Sequence, residues 1–207
     1  MLKLSKVIVQ YFFISVNRKL LTKPAREEIC VKKLVNIYTD GACAGNQNEE
    51  NLGGWGCVLE FSGVEKELCG GEDNTTNNRM ELTALIKALS ALKEEGLHLR
   101  IFSDSSYLVN CFRKKWYEGW EKNGWKNSKK QAVENQELWK KLLSLLFKHS
   151  FEVYLIKGHL KIPTEKNYEQ FVKNNGDAFS FADFAKISEY NNRCDALANV
   201  YIKEHRQ

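Results

Sequence analysis

Four acidic residues stand where a carboxylate could bind a metal ion. Asp40 follows the alternating apolar residues of VNIYTD, and Asp104 follows the similar run LRIFSD. Glu81 and Asp195 each fall in the first turn of a predicted helix. Taken singly, each acid has an ordinary structural role, as a turn residue, a helix cap or a partner of the helix dipole. Taken together, the four acids indicate a cation site.

Such a group of carboxylates requires positive charge. Crowded carboxylates repel one another and raise each other's pKa unless a cation neutralises them. Oxygen-only ligation selects a hard ion, so the acids predict Mg²⁺, with Mn²⁺ as a substitute. Two such ions about 4 Å apart stabilise the attacking and leaving oxygens in phosphodiester hydrolysis. His159 follows the last predicted strand, FEVYLIK, and would stand at the same edge.

The order of predicted elements would bring these acids together. Five strands are predicted, and the second and third form a hairpin that turns at Ser62 and Gly63. A right-handed crossover after the hairpin would place the first and fourth strands side by side, with Asp40 next to Asp104. We therefore predict an α/β fold with a mixed five-stranded sheet, three antiparallel strands and then two parallel ones, flanked by helices.

Apolar residues at helical spacing locate the helices. Residues 82–92 predict an amphipathic helix that stops at Gly96, and a second helix is predicted over roughly residues 106–113. A leucine-bearing helix follows the tryptophan-rich segment, and a final helix is predicted to begin near Asn191. Between residues 160 and 190 the periodicity is weak, so we predict an insertion that could hold a short helix. This insertion could be a lid, an extra substrate contact or a passive loop.

Charge is distributed unevenly along the chain, although the net charge is only +5. Residues 113–148 contain ten Lys or Arg against four acids, and they also contain Trp116, Trp120 and Trp125. In residues 34–112 the acids outnumber the basic residues. An acidic half beside a basic half predicts a cation site next to a track for a polyanion.

Composition excludes several classes of protein. The apolar and charged fractions, 43% and 28%, are typical of a soluble globular domain. No stretch approaches the ~20 apolar residues that a membrane span needs. Six cysteines stand singly, so we expect reduced thiols in a cytoplasmic protein. Residues 1–33 imitate a signal peptide in VIVQYFFISV but lack a small-residue cleavage site, which favours a basic N-terminal extension or an overcalled start.

Six segments of the chain occur together in one known family. They are YTDGACAGN, TTNNRMELTALIKAL, IFSDSSYL, WYEGWEKNGWKNSKKQAVENQELW, IKGH and NNRCDALA. In order and approximate spacing they resemble type 1 ribonuclease H, in its bacterial form with a basic protrusion. The resemblance covers about residues 34–203. It implies a ribonuclease H-like catalytic domain over residues 34–207, with the basic protrusion at about 113–135 and an insertion at about 161–190.

The resemblance also implies an activity. It implies a monomeric endonuclease that hydrolyses the RNA strand of RNA/DNA hybrids by two-metal catalysis, leaving 5′-phosphate and 3′-hydroxyl ends, and that removes RNA primers and R-loops. Asp40, Glu81, Asp104 and Asp195 match the four metal ligands, with Asp40 bridging both ions. His159 matches a mobile histidine that assists proton transfer or product departure.

Residues that match substrate-binding positions fall into three groups. Asn46, Asn77 and Asn78 match residues near the 2′-hydroxyls of the RNA strand. Thr76 and Asn135 match a pocket for a phosphate of the DNA strand. The basic protrusion contributes the three tryptophans, which would also pack on one another, and three lysines that would give salt-sensitive, sequence-independent affinity. These lysines are Lys126, Lys129 and Lys130.

The chain departs from the family pattern in three places. Asn74 stands where many members have arginine, which would weaken the phosphate pocket, and Ser106 is shorter than the residue common in bacterial members. The gap between His159 and Asp195 is far longer than usual, which leaves open whether His159 reaches the metal site. We interpret the small residues after Asp40 as keeping the sheet edge clear for a nucleic-acid backbone.

Other functions on this fold fit less well. A binding module that had lost turnover would be expected to lack one of the four acids. Sugar-kinase and actin-like ATPases need a second glycine-rich phosphate hairpin and a longer chain. Proofreading exonucleases usually carry two acids on the first strand, and transposase or resolvase relatives lack the NNRMEL and tryptophan-rich segments. A domain of a reverse transcriptase polyprotein would perform the same chemistry and remains an alternative.

Overall fold

Five strands and six helices occupy the residues that the computed structural model describes, 33–45 and 51–206. Asn46 and the proposed N-terminal extension, apart from Lys33, lie outside the described residues. The strands are β1 (Leu34–Ala44), β2 (Leu52–Phe61), β3 (Val64–Asp73), β4 (His98–Ser103) and β5 (Ser150–Leu155). The helices are α1 (Asn77–Ser90), α2 (Ser106–Arg113), α3 (Trp116–Lys122), α4 (Gln136–Leu146), α5 (Glu165–Asn175) and α6 (Phe181–His205).

The strands form one sheet in the order β3-β2-β1-β4-β5. β1 pairs antiparallel with β2, and β2 with β3, whereas β4 is parallel to both β1 and β5. The predicted mixed sheet is therefore confirmed. β1 is longer than predicted, because its pairing with β4 ends at Thr39 and Ser103 while its pairing with β2 continues to Ala44. Asp40 thus lies within the strand, at the point where the parallel pairing stops.

One face of the sheet is covered by α1, α2 and α4. Ile37 of β1 points into this core, while its neighbour Tyr38 points to the opposite face, as the alternation of a strand requires. Trp139 of α4 is fully buried here, and its indole N–H donates to the hydroxyl of Tyr107 at 2.7 Å. α1 ends at Ser90, earlier than the predicted stop at Gly96.

The opposite face is covered by α5 and α6 through an aromatic core. Phe171 of α5 and Phe184 of α6 are 3% and 1% exposed, and their ring centroids lie 5.1 Å apart. On the sheet side, Tyr38 stacks on Phe102 at 4.9 Å. Full burial of a side chain such as phenylalanine contributes about 1.5–3 kcal/mol. These two helices are therefore part of the folding core.

The prediction that residues 160–190 are mainly loop is wrong, although the helix that the sequence allowed near Phe181 and Phe184 is present as the start of a longer one. This segment forms α5 and the beginning of α6, which starts at Phe181 rather than near Asn191. Ser180 and Asp183 form a capping box at that start, since each side chain accepts a hydrogen bond from the backbone N–H of the other. The periodicity is weak because α5 buries only Phe171. Asp195 consequently lies in the middle of a 25-residue helix, not in a first turn.

α6 lies very close to β2. A Cβ atom at Gly54 would overlap the carbonyl oxygen of Ala198, so glycine permits the helix backbone to rest on the strand. Arg193, on the same helix, is ion-paired with Glu65 at 2.7 Å and with Glu67 at 2.5 Å on β3. These contacts lie on both sides of Asp195 along α6 and hold that part of the helix in place.

Two further expectations concern location in the cell. In the part of the chain that the structure describes, no helix is both long enough and apolar enough to cross a membrane. The described cysteines are free thiols, and Cys30 lies outside the described residues. The cytoplasmic location stays a prediction.

Candidate active site

Three of the four predicted metal ligands lie together where β1 and β4 stop pairing. One carboxylate oxygen each from Asp40, Glu81 and Asp104 lies within 4.8 Å of the other two. Asp40 and Glu81 are 5% and 2% exposed, and Asp104 is half-buried. Oε2 of Glu81 is buried and has no hydrogen-bond partner among the described residues. The arrangement offers several oxygen donors, one of them unpaired, to a hard cation.

Glu81 reaches this position because α1 approaches β1 unusually closely. A Cβ atom at Gly41 would overlap the backbone nitrogen of Glu81, so only glycine allows the first turn of α1 to rest on the strand next to Asp40. The structure thus gives Gly41 a reason different from the predicted one, which was access for a nucleic-acid backbone. Asp104 is placed by the end of β4, one residue before Ser105, which caps α2.

Burial and mutual repulsion keep these carboxyl groups from ionising easily. Burial raises the pKa of Asp40 well above its usual range, and the carboxylates of Asp104 and Asp195 raise it further. Burial likewise raises the pKa of Glu81, helped by Asp104 and Asp40. The pKa of Asp104 is raised mainly by burial, while His159 opposes the rise. A divalent cation would restore the charged forms of all three.

Asp195 and His159 line the same cavity as the three clustered acids. This cavity has a volume of about 460 Å³, and Asn77 and Asn78 also line it. Nδ1 of His159 lies 3.7 Å from Oδ2 of Asp195, and the histidine side chain is 75% exposed. The long gap in sequence therefore does not remove His159 from the site. Asp195 stands outside the tightest group and is half-buried.

Two asparagines of α6 belong to the site, although the sequence did not indicate them. Asn199 donates from Nδ2 to Oδ1 of Asp195 at 3.1 Å. The side chain of Asn191 is 1% exposed, approaches Asp104 and opposes the rise in the pKa of that carboxyl group. They lie one helical turn to either side of Asp195 and thus on its face of α6. Their four-residue separation from Asp195 predicts a shared helix face only when the helix is known to begin before Asn191.

The predicted phosphate pocket contains an arginine that the sequence did not indicate. Thr76 caps α1 by accepting a hydrogen bond from the backbone N–H of Arg79 at 3.4 Å. The Arg79 guanidinium donates to Oδ1 of Asn135 at 3.2 Å, and so joins the two residues predicted to grip a phosphate. It is also ion-paired with Glu72 and Glu137, at 3.3 and 2.6 Å. The acids therefore partly neutralise this arginine.

The tryptophans of the basic protrusion form a small core, as the packing interpretation predicted. The ring centroid of Trp120 lies 6.4 Å from that of Trp116, 6.2 Å from that of Trp125 and 5.5 Å from that of the buried Trp139. All three protrusion tryptophans are half-buried, whereas Lys126, Lys129 and Lys130 are exposed. The lysines are thus available to a polyanion.

Comparison with known proteins places the chain in a family. Residues 32–176 match the family model described as RNase H. The Ribonuclease H of Syntrophomonas wolfei subsp. wolfei is 44% identical over 171 residues, which cover 83% of this chain and 97% of that protein. The Ribonuclease H of Chlorobium phaeobacteroides (strain BS1) is 43% identical over 176 residues, covering 85% and 100%.

Solved structures of RNase H proteins also resemble this chain. The crystal structure of LC9-RNase H1, described as a type 1 RNase H with the type 2 active-site motif, is 31% identical, with a TM-score of 0.57 and coverage of 70% of this chain and 73% of that one. The solution structure of the PFV RNase H domain is 23% identical, with a TM-score of 0.57 and coverage of 81% and 93%, and shows the shared fold. From the sheet, the matched segment and these relatives, we conclude that the chain belongs to the type 1 ribonuclease H family of enzymes.

Proposed function

We propose that this enzyme cuts the RNA strand of RNA/DNA hybrids endonucleolytically, with two divalent ions, and leaves 5′-phosphate and 3′-hydroxyl ends. The observation that carries the proposal is the group of three carboxylates within 4.8 Å of one another, two of them buried, with an unpaired oxygen on Glu81. Buried charges require partners. The donor set is entirely oxygen, which fits Mg²⁺, with Mn²⁺ as a substitute.

The four acids have distinct tasks in this proposal. Asp40 is electrostatically coupled to Glu81, to Asp104 and to Asp195 of α6, and we assign it to both ions. Glu81 and Asp104 would complete one site, and Asp195 the other. Bound divalent ions supply charge stabilisation at the attacking and leaving oxygens of the phosphodiester. Asn199 would orient Asp195 through its 3.1 Å hydrogen bond.

His159 is suited to move a proton at the edge of the site. Its side chain is largely exposed, and its Nδ1 lies 3.7 Å from Asp195. Its ring nitrogens can accept a proton from water or give one to the departing 3′ oxygen. Its exposure also allows it to turn away when product leaves.

Substrate contacts are proposed on both strands of the hybrid. Asn77 and Asn78 line the cavity of the acids, where their amides could bind the 2′-hydroxyls that distinguish RNA from DNA. Thr76, Arg79 and Asn135 would hold a phosphate of the DNA strand. The exposed lysines of the basic protrusion would contact further phosphates without regard to sequence. We further propose a cytoplasmic monomer that removes RNA primers and R-loops.

One experiment tests the proposal directly. End-labelled RNA is offered as an RNA/DNA hybrid, as an RNA/RNA duplex and as a single strand, each with and without Mg²⁺. We expect cleavage of the hybrid alone, and only with the metal. Asp40→Asn should abolish cleavage yet retain hybrid binding, while the exposed Asp177→Asn should behave as wild type. Cleavage by pure Asp40→Asn, or cleavage of the single strand, would contradict the proposed function.

A further inference from the structure

A second cavity opens directly beside the active site. It has a volume of about 590 Å³, within the range of about 300–1,000 Å³ typical of small-molecule pockets. Its walls are the chain that follows β5 and one side of α5. Two active-site residues, Asp104 and His159, line it as well as the cavity of the acids, so the two spaces are continuous. We call this second cavity the α5 groove.

We propose that the α5 groove binds the RNA strand next to the phosphodiester that is cut, with Lys166 and Gln170 contacting its backbone. The inference rests on the proposed function, because it extends the substrate path of the same site. Of the three roles that the sequence left open for this segment, a lid, an extra substrate contact or a passive loop, it selects the second and assigns it to particular residues of α5.

The position of the groove identifies the strand. The scissile phosphodiester must reach Asp104 and His159, and both residues line the groove. The pocket proposed for the DNA strand lies at α1 and α4, on the opposite face of the sheet from α5. A hybrid that placed its DNA strand there would bring its RNA strand over the acids and onward to α5. The basic protrusion and α5 would then contact the duplex from two sides.

The chemistry of the groove suits a sugar–phosphate backbone. Its floor is apolar and includes the buried rings of Phe171 and Phe184, whereas Lys166 and Gln170 are exposed on the α5 side. The α5 residues that line it run from Lys166 to Asn174, which spans about 12 Å at 1.5 Å per residue. At about 3.4 Å per nucleotide along the axis of a duplex, this length corresponds to about three to four nucleotides.

α5 is held rigidly enough to position a ligand. The side chain of Asn175 bonds to both backbone groups of Leu155 at the end of β5, donating to the carbonyl at 2.8 Å and accepting from the N–H at 2.9 Å. Arg113 of α2 donates to the carbonyl of Asn174 at 3.0 Å and to Oδ1 of Asn175 at 2.6 Å. Together with the buried Phe171, these bonds make α5 a fixed wall.

The test compares Lys166→Ala with Lys93→Ala. Both changes remove one exposed lysine, but Lys93 lies between α1 and β4, at the end of the sheet opposite the active site. For Lys166→Ala we expect KM for a hybrid to rise about threefold to tenfold at unchanged kcat, and the salt dependence of hybrid affinity to fall by about one phosphate contact. Affinity is measured without divalent ions, so that this arm does not depend on turnover. Lys93→Ala should change neither quantity.

A second arm locates the contact along the RNA. Hybrids are made with a short block of ribonucleotides that fixes the cut, and their flanks are shortened on one side or the other. Shortening the flank that occupies the groove should raise KM for wild type but have little further effect in the double variant Lys166→Ala/Gln170→Ala, because the two changes remove the same contact. Equal KM and salt dependence in Lys166→Ala and Lys93→Ala would overturn the inference. If wild type bound hybrids but cut none, the proposed function would fail. The comparison of hybrid affinity between Lys166→Ala and Lys93→Ala would still show whether the α5 groove binds the hybrid.

Discussion

Without metal, the enzyme should become more stable when one of its buried acids is neutralised. Asp40→Asn keeps the size of the side chain and an oxygen that can still accept the Gly41 N–H bond, but it removes a charge from beside Glu81 and Asp104. Two unit charges within 4.8 Å of each other repel by at least about 3.5 kcal/mol at an effective dielectric constant of about 20. Because a carboxyl group can take up a proton instead, the measurable gain is smaller, about 1–3 kcal/mol.

The stability difference between metal-free wild type and Asp40→Asn should depend on pH. The raised pKa of Asp40 means that the folded protein holds a proton that the unfolded chain releases near the usual carboxyl pKa of about 4. The free energy of unfolding of the metal-free wild type therefore falls as pH rises from about 4 through the raised pKa. Asp40→Asn lacks this dependence for its own site, so its advantage should be absent at acid pH and largest above neutrality.

Thermal unfolding in EDTA measures the effect. At about pH 8 the gain corresponds to a Tm increase of roughly 2–12 °C, at about 2–4 °C per kcal/mol for a chain of this size. Added Mg²⁺ should offset this advantage, because it stabilises the wild type by about 2.7 kcal/mol at a hundred times its Kd and the variant much less. Asp177→Asn, an exposed change, should shift Tm by little under either condition. A lower Tm for metal-free Asp40→Asn, or equal stabilisation of both proteins by Mg²⁺, would refute the reasoning.

Three further predictions follow from the packing and the charge distribution. Changing the three lysines of the basic protrusion to alanine together should weaken hybrid binding and reduce its salt dependence by about three phosphate contacts, as measured by titration at several salt concentrations; an unchanged slope would show that they do not touch the duplex. Phe171→Ala should lower the free energy of unfolding by about 3–5 kcal/mol in urea denaturation, whereas a loss under about 1 kcal/mol would mean that α5 is dispensable to the core. Gly54→Ala should lower Tm and also weaken Mg²⁺ binding, since α6 must move away from β2; normal Tm and metal affinity would contradict the close-packing argument.

Local patterns were sufficient to predict the sheet and the meeting of two acids. The alternation in β1 and β4, the hairpin turn and the right-handed crossover together place Asp40 beside Asp104, as the register of Thr39 with Ser103 bears out. The start and end of α2 were predictable for the same reason, since its apolar spacing is regular. The metal-binding and substrate-binding roles of the residues stay predictions.

Contacts between distant segments were not predictable from local patterns. α5 buries a single side chain, so it carries little periodicity, and α6 was assigned too late because its first turns pack on an aromatic core that the sequence alone does not place. The role of Gly41 depends on how closely α1 approaches, and the role of Arg79 depends on the side chain of Asn135. Each of these features is a tertiary contact.

The contact of α6 with β2 also bears on how this domain can change length over evolution. The part of α6 near Asp195 is fixed by Gly54 and by the ion pairs of Arg193, so turns added ahead of it can pack on the aromatic face of the sheet and leave the carboxylate where it was. Lengthening the chain between His159 and Asp195 is then a tolerated route for acquiring new surface. Variants of this segment, in nature or in the laboratory, should differ most in their affinity for substrate while hydrolysis itself persists.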